Sequence, residues 1–288
     1  MSITIDDAPT GISYLQDDTT SMGNILKCLQ KFGIKNAVAF VIGQTAEGNE
    51  KILENWLDAG YELGNHTYYH QISSELSAKN FGLSVMKCDS LLREIGAFDK
   101  NSNPRWFRFP HLNGGDTFEQ RKEFSLILND LNYRVAPASA DIHDYHFDQL
   151  LASEPIDDDP IRLGKIYGRY FKVATESIFH YKRIIDASNG TDTPIIIFFH
   201  FGLASANKLS EILTYLDRHQ TEWLDLSTAC SHQLYRDLDT TYGHRGLVSD
   251  LIVGHKHKFI FKLYNTFLKY VPFMNEDKLG PRFPYLQC

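Results

Sequence analysis

The chain has 288 residues, of which 43% are hydrophobic and 13% aromatic, and its formal net charge is −7. This hydrophobic content is far above that of disordered chains, so we expect a folded protein, with one large domain favoured over two small ones. The negative charge disfavours nucleic acid as the main partner, because such binding depends on neutralising phosphates with Lys and Arg. A neutral or cationic substrate fits better.

Cysteine spacing and the lengths of the apolar segments exclude further classes of protein. The four cysteines are widely spaced and form no C-x-x-C pair, so we expect free thiols rather than a cysteine zinc site or a disulfide framework. No apolar stretch is long enough to span a bilayer, and residues 1–20 show no signal-peptide pattern. As written, the chain is expected to be cytoplasmic; if it begins after a removed signal, it would be secreted or periplasmic.

Short apolar runs alternate with helix-period segments along most of the chain. Such alternation is typical of a parallel sheet covered by helices. The predicted strands lie at about 2–5, 37–42, 61–64, 106–109, 133–136, 195–199 and 223–226, and the main predicted helices at about 22–33, 50–59, 74–95, 119–131, 161–187 and 208–219. We therefore predict an α/β fold, a distorted (β/α) barrel of about seven parallel strands.

The chain is predicted to divide into a catalytic domain over 1–235 and a C-terminal extension over 236–288. Basic residues from His255 to Lys262 lie among apolar ones in the extension. This pattern favours an amphipathic surface helix, with a helix that docks on a membrane surface or a partner as the alternative. The extension is not assigned a role.

Unusual polar side chains follow the predicted strands. In a barrel the loops at the carboxyl ends of the strands build the active site. The residues concerned are Asp6 and Asp7 after the first strand, His66 and His70 after the third, Arg108 in the fourth, Asp141 and Asp144 after the fifth, and His200 at the end of the most apolar strand. We expect them to meet at one mouth of the fold.

His66 and His70 are four residues apart, so in a helical turn both rings would face one cation. Alone, this spacing fits a surface or core histidine equally well, and Asp6-Asp7 alone fits a solvated turn or a helix cap. Together they suggest a metal site, in which one Asp binds the cation and the other is a base for hydrolysis. His200, with an ordinary pKa near neutrality, suits the role of acid.

Five motifs resemble, in order, those of the NodB-homology polysaccharide deacetylases, carbohydrate esterase family 4. They are Thr4-Ile5-Asp6-Asp7-Ala8-Pro9, His66-Thr67-Tyr68-Tyr69-His70, Phe107-Arg108-Phe109-Pro110, Asp141-Ile142-His143-Asp144-Tyr145 and Phe198-Phe199-His200. The resemblance covers about residues 2–230. The chain departs from the family pattern at Ala8, where Gly is usual, at His111, and at Tyr145, where many members have Trp.

The resemblance implies a role for each motif residue. Asp6 would be the catalytic base, oriented by Arg108. His200 would be the catalytic acid, tuned by Asp141 or Asp144, of which Asp141 is favoured. Pro110 and Tyr145 would line the substrate groove. The metal ligands would be Asp7, His66 and His70, holding one divalent ion, with zinc expected and cobalt or another ion as alternatives.

The implied activity is removal of N-acetyl groups from an amino-sugar polymer or oligosaccharide such as chitin or peptidoglycan. One alternative is a deformylase or amidase acting on a lipid-linked amino sugar or a small molecule with a C–N bond. A non-catalytic carbohydrate-binding protein on the same fold is the last alternative. Aromatic residues near the motifs either pack in the core, which is the commoner role, or stack on sugar rings: Tyr68, Tyr69, Trp106, Phe107, Tyr145 and Phe147.

Overall fold

The structure is a computed structural model, and it describes residues 1–9, 19–35, 37–98, 105–153 and 160–236. The predicted extension and its amphipathic helix lie outside the described residues, apart from residue 236. Among the described residues, Cys28, Cys88 and Cys230 are free thiols, as predicted. No helix in the described ranges is both long and apolar enough to cross a membrane.

A seven-stranded parallel sheet forms the centre of the fold, with the strand order β5-β4-β3-β2-β1-β7-β6. The strands are β1 (Ser2–Ala8), β2 (Val38–Val41), β3 (Glu62–Asn65), β4 (Arg105–Phe107), β5 (Tyr133–Val135), β6 (Ala140–Asp141) and β7 (Ile196–His200). The sheet curls into a half-barrel covered by helices, which confirms the predicted distorted (β/α) barrel.

Ten α-helices connect and cover the strands in the part of the chain that the structure describes. They are α1 (Thr19–Lys31), α2 (Gly43–Ala46), α3 (Glu50–Asp58), α4 (Ala78–Glu94), α5 (Phe118–Asp130), α6 (Asp144–Ser153), α7 (Pro160–Asn189), α8 (Leu203–Arg218), α9 (Leu226–Ala229) and α10 (Gln233–Arg236). Most strand–helix alternations therefore follow the predicted order.

The central strands of the sheet are buried on both faces. All residues of β1 and β2 are buried, and so are the first four of β7. Such two-sided burial is typical of parallel sheets whose faces are covered by helices. The polar side chains at the carboxyl ends of these strands therefore sit on a rigid base.

Two elements differ from the prediction. The predicted strand at 223–226 is wrong. Leu224 N donates one backbone hydrogen bond to Met1 O at 2.7 Å, and α9 begins at Leu226. The two-residue strand β6 was not predicted, because so short an element has no detectable alternation. β6 matters for the site, since it carries Asp141 and leads into α6.

Helix α10 contacts the residues just before β7, and the residue after α9 contacts β5. Tyr235 on α10 donates a hydrogen bond to Pro194 O at 2.7 Å. Arg134 on β5 donates to Cys230 O, just after α9, at 2.8 Å. These contacts join the end of the described chain to the open side of the half-barrel.

Candidate active site

Asp6 and Asp7 both lie buried at the end of β1. Successive side chains of a regular strand point to opposite faces, so two adjacent carboxylates need an irregularity to serve one site. The register of β1 against β2 shifts by one residue between Ile5 and Ala8, and Asp7 has a left-handed backbone with φ 63°. This bulge redirects Asp7, while Asp6 keeps its regular pairing with His200 on β7.

His66 and His70 lie on a loop after β3, not on the helical turn that we predicted. Thr67 and His70 both have left-handed backbones, with φ 63° and 52°. Local hydrogen bonds hold this shape: Thr67 N donates to Asn65 Oδ1 at 2.8 Å, and His70 N donates to Thr67 Oγ1 at 3.1 Å. The loop brings the two rings together, with centroids 4.9 Å apart.

Three side chains converge as a candidate metal site. Asp7 Oδ1 lies 3.4 Å from His66 Nε2 and 3.1 Å from His70 Nε2. The three donor atoms all lie within 4.8 Å of one another. Burial would raise the pKa of Asp7, but the two histidines lower it well below its usual range, so the carboxylate is ionised. An Asp and two His are ligands that suit Zn²⁺ and similar divalent ions.

The hydrogen bonding of His66 supports the fit of a cation. Its Nδ1 lies 2.8 Å from Arg108 O, and a carbonyl can only accept, so the proton is on Nδ1. Nε2 is therefore the ring nitrogen that faces Asp7 and can bind a cation. Asp7 Oδ1 is buried and has no hydrogen-bond partner. A cation between His66 Nε2 and the buried Asp7 Oδ1 would stabilise both atoms.

Arg108 is buried beside the predicted base. Its Nη1 lies 3.5 Å from Asp6 Oδ2, and its Nη2 donates to Thr4 Oγ1 at 2.9 Å. The guanidinium also lies 4.6 Å from the ring centre of Phe40. These contacts fix the guanidinium, which in turn balances the charge of Asp6 and restricts its orientation.

His200 pairs with Asp144 and not with Asp141, so the favoured partner was wrong. His200 Nδ1 lies 2.9 Å from Asp144 Oδ1, and the backbone N of His200 donates to Asp144 Oδ2 at 2.6 Å. Asp144 is fully buried on the first turn of α6, which packs against β7. Burial would lower the pKa of His200, but the Asp144 carboxylate raises it to about 10, so the ring carries a proton at neutral pH.

Asp141 instead organises the loop between β6 and α6. Its Oδ1 accepts a hydrogen bond from His143 N at 2.7 Å, and its Oδ2 lies 3.3 Å from His143 Nδ1. Tyr145 donates to Asp141 Oδ2 at 3.4 Å, and its ring stands edge-on to His200 with centroids 5.5 Å apart. In the sheet, Asp141 pairs with Phe198 on β7, and the start of α6 places Asp144 at His200.

The predicted groove residues differ in exposure. Pro110 is buried at the start of a 3₁₀ turn, Pro110–Leu112, and the half-buried Tyr145 lies beside His200. His111, one of the departures from the family pattern, is exposed, and its ring centre lies 4.7 Å from that of His70. Of the aromatic residues near the motifs, Tyr68, Trp106, Phe107 and Phe147 pack in the core, and Tyr69 is half exposed.

Several supporting residues could not be predicted from the sequence. Ser205 donates to Asp144 Oδ2 at 2.7 Å, and the Tyr170 hydroxyl lies 3.0 Å from Ser205 Oγ. Asn65 donates to Tyr133 OH at 3.1 Å, which links the histidine loop to β5. Because these contacts join residues far apart in the chain, they follow from the packing of the helices and not from any motif.

Residues 1–136 match the family model described as polysaccharide deacetylase. The peptidoglycan-N-acetylglucosamine deacetylase of Bacillus cereus is 23% identical over 145 residues, which are 50% of this chain and 46% of that protein. The chain thus matches less than half the length of this curated relative.

Solved structures share the fold. A carbohydrate esterase family 4 pseudoenzyme from Bacillus anthracis aligns with a TM-score of 0.55 and 18% identity, over 80% of this chain and 64% of the other. The family 4 esterase domain of a multidomain xylanase from a termite hindgut metagenome has a TM-score of 0.55 and 17% identity, over 86% of this chain and 97% of the other. The resemblance seen in the motifs is confirmed: residues 1–136 match the polysaccharide deacetylase family model.

Proposed function

We propose that this protein is a metal-dependent hydrolase that removes N-acetyl groups from an amino-sugar polymer or oligosaccharide. One observation carries the proposal: three metal-ligand side chains, an arginine-paired carboxylate and a protonated histidine lie at one end of the sheet. Metal-dependent hydrolysis of an amide uses a Lewis acid, a base and an acid within reach of one bond.

Asp7, His66 and His70 would hold the divalent ion. When bound, such an ion supplies Lewis-acid chemistry, which polarises a carbonyl and makes a nearby water more acidic. Asp7 is ionised and His66 has its proton on Nδ1, so both present lone pairs to a cation. His70 completes the set from the other side of Asp7.

Asp6 would take a proton from the attacking water. Its Oδ1 is buried and has no hydrogen-bond partner, while Oδ2 faces the Arg108 guanidinium at 3.5 Å. One oxygen is therefore held and the other is free to accept a proton. Arg108 keeps the carboxylate in place without blocking that oxygen.

His200 would protonate the departing nitrogen as the C–N bond breaks. Its Nδ1 is engaged by Asp144, so Nε2 carries the transferable proton. The pKa of about 10 keeps the ring protonated at neutral pH. The amine leaves with the proton from His200, and the acyl group leaves as acetic acid, which ionises to acetate. The proton held by Asp6 returns to solvent and His200 takes one up from solvent, so both residues return to their starting states.

The sugar part of the proposal is supported by relatives. The curated relative is named for deacetylation of peptidoglycan N-acetylglucosamine, and one structural neighbour is part of a xylanase. A neighbouring structure is described as a pseudoenzyme, so a silent site on this fold is a real alternative. This chain keeps Asp6, Asp7, His66, His70 and His200 in the arrangement described above, which favours catalysis.

The test is a screen for acetate release from chitin oligomers, peptidoglycan and xylan fragments. We expect a chelator to abolish release and added zinc or cobalt to restore it. Asp6→Asn should lose most turnover and still bind metal, while Asp130→Asn, an exposed control on α5, should match the wild type. Activity that survives both chelation and Asp7→Ala would rule out the metal mechanism. Release of formate would instead favour a deformylase, and sugar binding without hydrolysis a binding protein.

A further inference from the structure

A second carboxylate on α6 lies beneath the turn that carries His200. Asp148 is one helical turn after Asp144, so both side chains lie on the same face of α6. Asp148 is buried, with a relative exposure of 5%. Its Oδ1 accepts a hydrogen bond from Ala204 N, in the first turn of α8, at 2.8 Å.

Helix α8 begins three residues after His200, at Leu203, without a side-chain cap of its own. Its N-cap residue is Gly202, which has no side chain to accept the free N–H groups of the first turn. Asp148 supplies that acceptor from the neighbouring helix. The carboxyl oxygens of Asp148 also face the N-terminus of α8, where the helix dipole is positive.

The contact is too close to be incidental. A Cβ on Gly202 would overlap Asp148 Oδ2 and lie 2.5 Å from its Cγ. Gly202 has φ −136°, a backbone that any residue adopts, so the need for glycine here comes from Asp148 and not from the backbone. Asp148 and Gly202 therefore fit each other.

We propose that Asp148 is a positioning residue for His200. Asp148, on α6, caps the start of α8 and so holds the turn from His200 to Gly202 against Asp144. The inference rests on the proposed function of His200 as the acid. Asp144 accepts hydrogen bonds from His200 N and from the Ser205 hydroxyl, and Asp148 accepts one from Ala204 N. Two carboxylates of one helix thus set the position of the acid relative to its partner.

The neutral form of Asp148 can fill this role. Burial raises the pKa of Asp148 to about 7, and the neighbouring Asp144 carboxylate adds to the rise. The cap needs an oxygen acceptor and not a full charge. Asparagine, which keeps Oδ1 at the same place, is therefore the matched conservative replacement.

The experiment compares Asp148→Ala with Asp148→Asn in the full chain. Asp148→Ala should lower kcat by roughly tenfold or more with KM within about twofold, because small displacements of an acid slow the chemical step. It should also shift the NMR signal of the His200 Nδ1 proton, which reports the bond to Asp144. Asp148→Asn should restore both. Unchanged kcat and an unchanged signal in Asp148→Ala would overturn the proposal.

Asp225→Ala is the control for a mere loss of stability. Asp225 caps α9 by accepting from Thr228 N at 2.7 Å, and the chain next to it contacts Met1 at the opposite end of β1. This variant should lower the melting temperature but leave kcat and the His200 signal as in the wild type. A fall in kcat equal to that of Asp148→Ala would show that the effect is general destabilisation.

Gly202→Ala gives an independent test if Asp148→Ala does not fold. The added methyl group should displace Asp148, lower kcat and shift the His200 signal, and it should do less harm when combined with Asp148→Ala. A Gly202→Ala variant with full kcat and an unshifted signal would also overturn the proposal. If the wild type releases no acetate, the proposed function fails, yet the NMR signal still tests the role of Asp148.

Discussion

The backbone carbonyl of Arg108 accepts a hydrogen bond from His66 Nδ1 at 2.8 Å. The same residue places its guanidinium 3.5 Å from Asp6. One residue of the loop after β4 thus orients a candidate metal ligand through its main chain and the predicted base through its side chain. Only the second contact depends on the identity of the side chain, so the two roles can be separated by mutation.

Arg108→Met should therefore impair catalysis more than metal binding. The carbonyl that orients His66 remains, so metal content should stay near one ion per chain. Turnover should fall by about 10- to 100-fold, the usual effect of losing an orienting partner. Because Asp6 would be left buried without its counter-charge, the unfolding free energy should also fall, by about 3–5 kcal/mol. Metal analysis, acetate release and denaturant unfolding measure the three effects, and loss of metal from Arg108→Met would contradict the separation.

His70→Ala and His111→Phe should differ in metal content. Both rings lie near the site, but only His70 has a nitrogen within the converging donor set. Loss of a direct ligand should weaken metal affinity by more than about tenfold, whereas His111→Phe should leave it unchanged. Titration of the metal-free proteins with zinc measures both affinities. Equal weakening in the two variants would make His111 a fourth ligand.

Asp144→Asn should move the high-pH limb of the activity profile to lower pH. The Asp144 carboxylate raises the pKa of His200 against the opposing effect of burial, so its removal lets that pKa fall. The protonated acid is then lost at a lower pH, and the limb should shift by at least about one unit. Asp141→Asn is the matched control, because Asp141 contacts His143 and Tyr145. A limb that moves equally in both variants would contradict the pairing of His200 with Asp144.

The same pair should make stability depend on pH in the alkaline range. The folded pKa of His200, about 10, lies above its ordinary value of 6.5. The folded state therefore binds more protons than the unfolded state between these values, and stability falls as pH rises through about 10. The melting temperature of the wild type should drop more steeply between about pH 7 and about pH 10 than that of Asp144→Asn. Parallel curves would show that the pair contributes little to stability.

The fold and the residues of the candidate metal site could be predicted from the sequence because both depend on local patterns. Alternating apolar runs and helical segments predict the parallel barrel, and the strand ends place Asp6, Asp7, His66 and His70 together. The family resemblance implies which Asp would be the ligand. The conformation between the histidines could not be predicted. A spacing of four fits a helical turn, and only the hydrogen bonds of Asn65 and Thr67 specify the left-handed loop.

The partner of His200 shows a second limit of the sequence. Asp141 and Asp144 lie in one motif, three residues apart, and nothing in their order tells which one faces β7. The choice follows from where a two-residue strand ends and α6 begins, an element boundary that sequence patterns locate poorly. Asp148 lies outside the five motifs, so its contact with α8 could only be found in the structure.

Gly64→Ala and Gly82→Ala should change stability in opposite directions. A Cβ on Gly64, in β3, would lie 2.6 Å from Phe40 ring atoms and 3.0 Å from Trp106 O, and the backbone oxygen cannot move aside easily. We expect a loss of about 1–3 kcal/mol, the usual cost of overpacking. Gly82, inside α4, has only Ile127 at 3.5 Å, so alanine there should gain about 0.5–1 kcal/mol from its helix propensity. Because Phe40 packs on Arg108, Gly64→Ala should also reduce turnover. Urea unfolding measures the stability of both variants, and acetate release measures turnover. A stable, fully active Gly64→Ala would show that Phe40 has room to move.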